Sequence, residues 1–233
     1  RKITFADFTA SGRALRSIEE YIMTEVLPVY ANTHSTASAT GTQTTLFRAE
    51  ARGIVRRCVG GDSKKDTVIF TGTGCTGAVN HMLHLLMYSP EWAAATPENP
   101  PLVLVSPYEH HSNLLPWREA GARVLAVREA PSGGVDLAHL EQLLAENAAC
   151  PVKVGAFSAA SNITGILIDT VAVSVALHRH NALAFFDYAT AGPYVDIDMN
   201  PKGDGADAGL TYKDAVFLSP HKFVGGVSTP GVL

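Results

Sequence analysis

Three cysteines among 233 residues are too few to staple a small secreted scaffold, which points to a reducing compartment. No uninterrupted apolar run reaches the roughly 18–20 residues that span a bilayer. No sustained apolar stretch follows the opening Arg1-Lys2-Ile3-Thr4, so no secretory signal is expected. Positive charge is also scarce: 18 Lys and Arg stand against 22 Asp and Glu, a net charge of −4. No global field therefore draws the chain to nucleic acid or to anionic lipid. Charged residues make up only 17% while hydrophobic ones make up 46%, with a mean hydropathy of +0.11, which excludes a disordered chain. What remains is a globular enzyme or binding domain of the cytoplasm or an organelle matrix, long enough for one large core. Position 1 is Arg, and Thr229-Pro230-Gly231-Val232-Leu233 reads as the opening of a strand without a partner. The chain is on this reading expected to be part of a longer one.

Short apolar runs recur along the sequence at Thr67–Thr71, Leu102–Val105, Arg123–Val127, Val154–Ser158, Leu183–Asp187 and Ala215–Ser219. Apolar on both faces and bounded by Gly, Pro or polar residues, they predict strands buried within a parallel sheet. Between them lie helical patterns at Arg13–Val26, Thr44–Cys58, Gly77–Met87, Leu114–Ala120, Leu137–Asn147 and Thr170–Arg179. The alternation predicts an α/β fold, with a mostly parallel, mixed sheet flanked by helices. No linker divides the chain convincingly. Residues 1–60 read as an N-terminal arm with helices and 61–233 as the main domain. The polar, Gly-rich stretch Asn200–Asp207 reads as a surface excursion.

Ligands of open parallel sheets collect at the carboxyl ends of the strands, so the residues that follow each run carry the functional reading. After Thr67–Thr71 comes Gly72-Thr73-Gly74-Cys75-Thr76-Gly77, a glycine loop that opens a helix. Its spacing matches the dinucleotide fingerprint, but no acid stands at the end of the next strand, so it reads as a phosphate cup. The run Leu183–Asp187 delivers a carboxylate to the edge, where burial requires a partner. Ala215–Ser219 leads to Pro220-His221-Lys222, an amine beside a buried strand. Alone, such an Asp is more commonly a cap or salt-bridge partner, such a Lys a surface residue, and His110 or His111 a hydrogen-bonded loop residue. Together, a phosphate cup, a carboxylate for a pyridinium nitrogen, a Schiff-base lysine and an imidazole to stack on a ring are the fixtures of a pyridoxal 5'-phosphate site. His81-x-x-His84 and His178-x-His180 lack a convincing third ligand or carboxylate partner and read as structural or surface histidines, not a metal site.

The residues also carry a resemblance. Glu109-His110-His111-Ser112-Asn113-Leu114-Leu115-Pro116-Trp117, Ser161-Asn162-Ile163-Thr164-Gly165 and Ser219-Pro220-His221-Lys222 resemble, in order and placement, three motifs of the class V aminotransferase family. That family consists of fold-type I pyridoxal phosphate enzymes, and the closest likeness is to its cysteine desulfurase and selenocysteine lyase branch. The resemblance implies that Lys222 forms the Schiff base and moves the α-proton, and that Asp187 holds the pyridine nitrogen protonated. It further implies that His110 is catalytic, stacking on the ring and assisting proton transfer, that Asn162 reaches the phenolic oxygen, and that Cys75 and Thr76, with Ser219 and His221, cradle the phosphate. Phe5–Ser11 is similar to the family's entrance segment near the substrate. Where the family often has Asp-x-Ala-Gln, this chain has Asp187-Tyr188-Ala189-Thr190; Thr190 still bears a hydroxyl that reaches toward the phenolic oxygen, on a shorter side chain.

The resemblance implies cysteine desulfurase-like C–S cleavage of a small amino acid. A transaminase, epimerase or lyase of the same family is the alternative, and a nucleotide-binding dehydrogenase domain or a non-catalytic fragment are alternatives from other classes. It also implies a homodimer, a sulfur-acceptor protein as partner of a desulfurase, and no nucleic-acid or membrane partner. The family's small C-terminal domain is not matched by any segment before Leu233. The resemblance places the substrate-binding arginine and the sulfur-accepting cysteine in that domain. Cys58, Cys75 and Cys150 do not sit in a mobile sulfur-accepting loop and read as buried or incidental thiols.

Overall fold

The computed structural model of the chain describes residues 1–233. Five strands form one sheet: β1 (Leu102–Val105), β2 (Arg123–Ala126), β3 (Lys153–Ser158), β4 (Leu183–Asp187) and β5 (Ala215–Phe217). Their order is β2-β1-β3-β4-β5, and every pair is parallel. The helices are α1 (Arg16–Tyr21), α2 (Ala39–Cys58), α3 (Gly74–Met87), α4 (Pro90–Ala93), α5 (Leu115–Glu119), α6 (Leu137–Glu146) and α7 (Thr170–Arg179).

Period-two alternation divides the strands between two cores. In β1, Leu102 and Leu104 join Leu140 and Leu144 of α6 and Val173 and Leu177 of α7. Val103 and Val105 face the other way, onto Ala78, Val79 and Leu83 of α3 and Trp117 of α5. In β4, Phe186 joins the first core and Phe185 the second. Both sheet faces are therefore covered, as a parallel sheet requires. β2 is the exposed edge strand. The chain reverses its direction of travel across the sheet between β1 and β3, and that reversal opens a crevice at their carboxyl ends.

Five expectations are corrected. Thr67–Thr71 is extended but joins no parallel ladder; Phe70 bridges Val232 in the antiparallel sense. The terminal strand does have partners, on both sides. Ile69 N–H donates to Leu233 O (2.7 Å), and Leu218 N–H donates to Val232 O (2.8 Å). Val232 is buried, and the sheet is thus extended by an antiparallel insertion. Finally, α3 begins at Gly74 and not at Gly77, and α2 at Ala39 and not at Thr44, with Ser38 Oγ accepting from Gly41 N–H at its start. The expected helix Arg13–Val26 resolves into α1 and a π-helical turn over Ile22–Val26, before a tight turn over Leu27–Val29 whose Pro28 has no amide to donate.

Candidate active site

All nine residues singled out from the sequence line one cavity of about 160 Å³ at the carboxyl edge of the sheet: Cys75, Thr76, His110, Asn162, Asp187, Thr190, Ser219, His221 and Lys222. Ser112, Ser158, Ala160 and Ala189 line it as well and were not singled out. Ser158 closes β3 and Ser112 lies within the quoted Glu109–Trp117 motif, so the sequence signal for both was their place at a strand end.

The glycine loop folds as an anion cradle. Gly74 sits at φ +56°, and a Cβ there would lie 2.6 Å from His221 Cε1 and 2.8 Å from Ser219 Oγ. Only glycine lets α3 start this close to the β5 loop. Cys75 N–H donates to Ser219 Oγ (2.9 Å), leaving that hydroxyl's own proton free for a ligand. The Cys75 amide is therefore engaged within the protein while Cys75 itself lines the cavity; Thr76, exposed at the helix start, keeps its hydroxyl for the cavity.

Asp187 ends β4 and is buried. Its Oδ1 accepts from Ala189 N–H (2.8 Å), and the Cys75 thiol stands beside it. Burial pushes the Asp187 carboxyl up; the Ala189 amide, Cys75, Lys222 and His110 pull it down in part. No Lys, Arg or His forms an ion pair with it. Burial, followed by the Asp187 charge, pushes the Cys75 thiol well up, so Cys75 is a protonated thiol and not a nucleophile.

Lys222 lies in the turn Pro220–Lys222, half-buried, with its amide donating to Ser219 O (2.9 Å). The N-terminal arm clamps this turn: Gly12 N–H donates to His221 O (2.9 Å) and Gly225 N–H to Arg13 O (2.7 Å). Burial, and then the neighbouring Lys222 charge, push the His221 imidazole down, which makes it a neutral donor for an anion. Phe5 and Phe8 pack edge to face at 5.3 Å, and the Arg13 guanidinium lies 4.8 Å over Phe5, which orders the entrance segment.

Asn162 is presented by a tight turn. Ser161 Oγ accepts from Ile163 N–H (3.2 Å) and Thr164 N–H (3.1 Å), and Gly165 takes φ +73° to close it. Below His110, Glu109 is turned inward at the crevice between β1 and β3. Its carboxylate accepts from Ser106 Oγ (2.6 Å), Ser158 N–H (2.8 Å), Ser158 Oγ (2.7 Å) and Asn113 Nδ2 (2.7 Å), and at 3.3 Å from Ser106 N–H. It thereby ties the loop after β1 to the end of β3. The sequence reading assigned Glu109 no role.

Away from the cavity, His178 has the carboxylate partner that its sequence spacing did not show: Nε2 lies 2.9 Å from Asp214, Nδ1 lies 2.7 Å from Leu210 O, and Tyr212 stacks at 4.1 Å. Cys58 is exposed, while Cys150 is buried.

A buried carboxylate without a cation, an anion cradle at a helix start and a lysine in the same cavity fit pyridoxal phosphate: a ring-nitrogen cation for Asp187, a phosphate for the cradle, a carbonyl for Nζ. On this parallel sheet, such a site is that of the fold-type I pyridoxal phosphate enzymes. Within that class the chain belongs to the aminotransferase class-V family, whose model matches residues 4–227. A probable cysteine desulfurase of Halalkalibacterium halodurans is 26% identical over 177 residues, which are 74% of this chain and 41% of that protein. In structure, the apo cysteine desulfurase of Thermococcus onnurineus superposes with a TM-score of 0.76 at 20% identity, over 97% of this chain and 52% of that one. A structure described as SspA in complex with cysteine gives 0.76 at 17% identity, over 99% and 60%. The chain thus spans about half the length of the relatives it matches.

Proposed function

We propose that the protein to which this chain belongs is a pyridoxal phosphate-dependent enzyme that cleaves the C–S bond of an amino acid, in the manner of a cysteine desulfurase. The observation that carries the cofactor part is Asp187, a buried carboxylate with no cation of its own, in one cavity with Lys222 and the Gly74 cradle. The desulfurase relatives, and the neighbour solved with cysteine, support the choice of substrate.

When bound, pyridoxal phosphate supplies a carbonyl carbon for the amino group and an electron sink for charge left at Cα. In this reading Lys222 holds the group through Nζ and, once released, moves the proton at Cα. Asp187 keeps a proton on the ring nitrogen, and His110 covers the ring face. Thr76, Ser219 and His221 bind the phosphate, while Asn162 and Thr190 reach the phenolic oxygen. Cys75 adds a thiol beside Asp187. As the family resemblance implies, sulfur capture in this reading falls to a thiol of the family's C-terminal domain, and from there to an acceptor protein. Residues 1–60 act as an arm and 61–233 as the cofactor-binding domain, and the working unit is a homodimer.

The test is Lys222→Ala. The parent protein is expected to show a visible absorbance band that borohydride abolishes, and the variant to lack it. A variant with the parent's borohydride-sensitive band overturns the lysine assignment. A parent with the band that releases no sulfide from cysteine overturns the desulfurase reading alone.

A further inference from the structure

Ser112 lies at the one position of its loop where both a hydroxyl and an amide reach the same histidine nitrogen. Its Oγ is 2.8 Å from His110 Nδ1, and its backbone N–H points at that nitrogen from 3.3 Å. A backbone N–H can only donate, so Nδ1 must hold a lone pair. The hydroxyl, sharing the same nitrogen, donates as well. In the neutral ring the proton then resides on Nε2. The turn that enforces this is braced from below. Asn113 N–H donates to His110 O (2.9 Å), Asn113 Nδ2 to Glu109, and Trp117 Nε1 approaches Asn113 Oδ1 at 3.4 Å. Trp117 is fully buried, so the brace is anchored in the core.

We infer that Ser112 is a positioning residue that holds His110 as the Nε2–H tautomer, so that His110 enters the cavity as a hydrogen-bond donor and not as a base. This rests on the reading of the cavity as the catalytic site. Nδ1 is occupied by the turn, which leaves Nε2 as the only ring nitrogen for the cavity. To gain a second proton, the ring must displace the Ser112 N–H and turn the Ser112 hydroxyl from donor to acceptor. Proton abstraction therefore falls to Lys222, and His110 supplies an N–H to negative charge that develops beside the ring. The titratable groups facing His110 are Asp187 at the end of β4, Lys222 and His221 in the turn after β5, and Glu109 and His111 on its own loop.

The experiment is ¹⁵N NMR of the full-length protein labelled at histidine, with His110 assigned by the signal lost in His110→Gln. It needs neither cofactor nor turnover, so it stands apart from the test of the proposed function. The parent is expected to show an unprotonated Nδ1 and a protonated Nε2. In Ser112→Ala, which keeps the backbone N–H and loses the hydroxyl, Nε2 is expected to stay the protonated nitrogen while the Nδ1 signal moves toward that of a lone pair with one donor fewer; in Ser112→Thr both signals are expected to stay with the parent. In the active enzyme, Ser112→Ala is expected to lower kcat about fivefold, the scale of one hydrogen bond. A proton on Nδ1 in the parent overturns the inference. So does a Ser112→Ala protein whose Nδ1 signal matches the parent's.

Discussion

Glu109 and Asp187 are two carboxylates delivered to the same sheet edge and held in opposite ways. Asp187 has one backbone N–H and an open side toward the cavity. Glu109 has donors on both oxygens, two hydroxyls among them. Asp187→Asn exchanges the charge for an amide that no longer favours a protonated ring nitrogen. The variant is expected to keep some cofactor and to lose activity by on the order of 10²-fold, the usual size for removing one preorganised electrostatic group. Turnover near the parent's rate would sink that role. For Glu109, burial raises the carboxyl from 4.5 to about 7 against the pull of Ser106, Ser158 and Asn113. The folded state therefore holds the proton more tightly than the unfolded one. The stabilisation that follows is complete below pH 4.5 and is lost as pH rises through about 7. It amounts to roughly 3 kcal/mol. Glu109→Gln removes this titration, so its chemical-denaturation stability is expected to fall less steeply than the parent's between those limits. Equal slopes would show that the carboxylate is not desolvated.

At the level of elements, the α3 start is the most constrained joint. Gly74→Ala strains a backbone at φ +56° and drives a methyl into His221 and Ser219. The cradle is expected to open, with cofactor affinity falling by about tenfold or more while the secondary structure measured by circular dichroism is kept; unchanged affinity would show that the cradle does not hold the phosphate. The cavity was legible in the sequence because the ends of four ladder strands, β1, β3, β4 and β5, and of the extended run Thr67–Thr71 carried polar residues, and a parallel sheet gathers its carboxyl ends on one edge. All five ladder strands could be read from their own apolar runs. Thr67–Thr71 could not be placed in the same way, since its partner Val232 lies far along the chain and pairs antiparallel. The first turns of α2 were hidden for a different reason. Ala39–Thr45 has almost no apolar signal, yet Thr44 and Thr45 return their hydroxyls to Thr40 O (3.1 Å) and Gly41 O (2.8 Å), so the threonines are satisfied within a helix. Glu109 escaped notice because an acid inside a loop motif looks solvated until the fold folds Ser158 over it.

Across the whole molecule, apolar exposure is unevenly spread. Of the 24 large hydrophobic residues left exposed, 12 fall in residues 1–60, a quarter of the chain. Ile3 is 91% exposed, Met23 65% and Tyr30 63%. Scattered apolar residues on a surface need no explanation, but this density on one arm does. The same arm supplies Gly12 and Arg13 to the clamp on the Lys222 turn, so whatever covers the arm also steadies the lysine. A second copy of the chain is the occupant proposed here, and it links assembly to cofactor retention. Sedimentation of the full-length protein is expected to give a dimer. Met23→Glu, which places a charge on the exposed arm away from the cavity, is expected to shift the mass toward the monomer and to weaken cofactor binding with it. A monomer carrying a full complement of cofactor would break the link, because the turn that holds Lys222 would then be rigid without a partner.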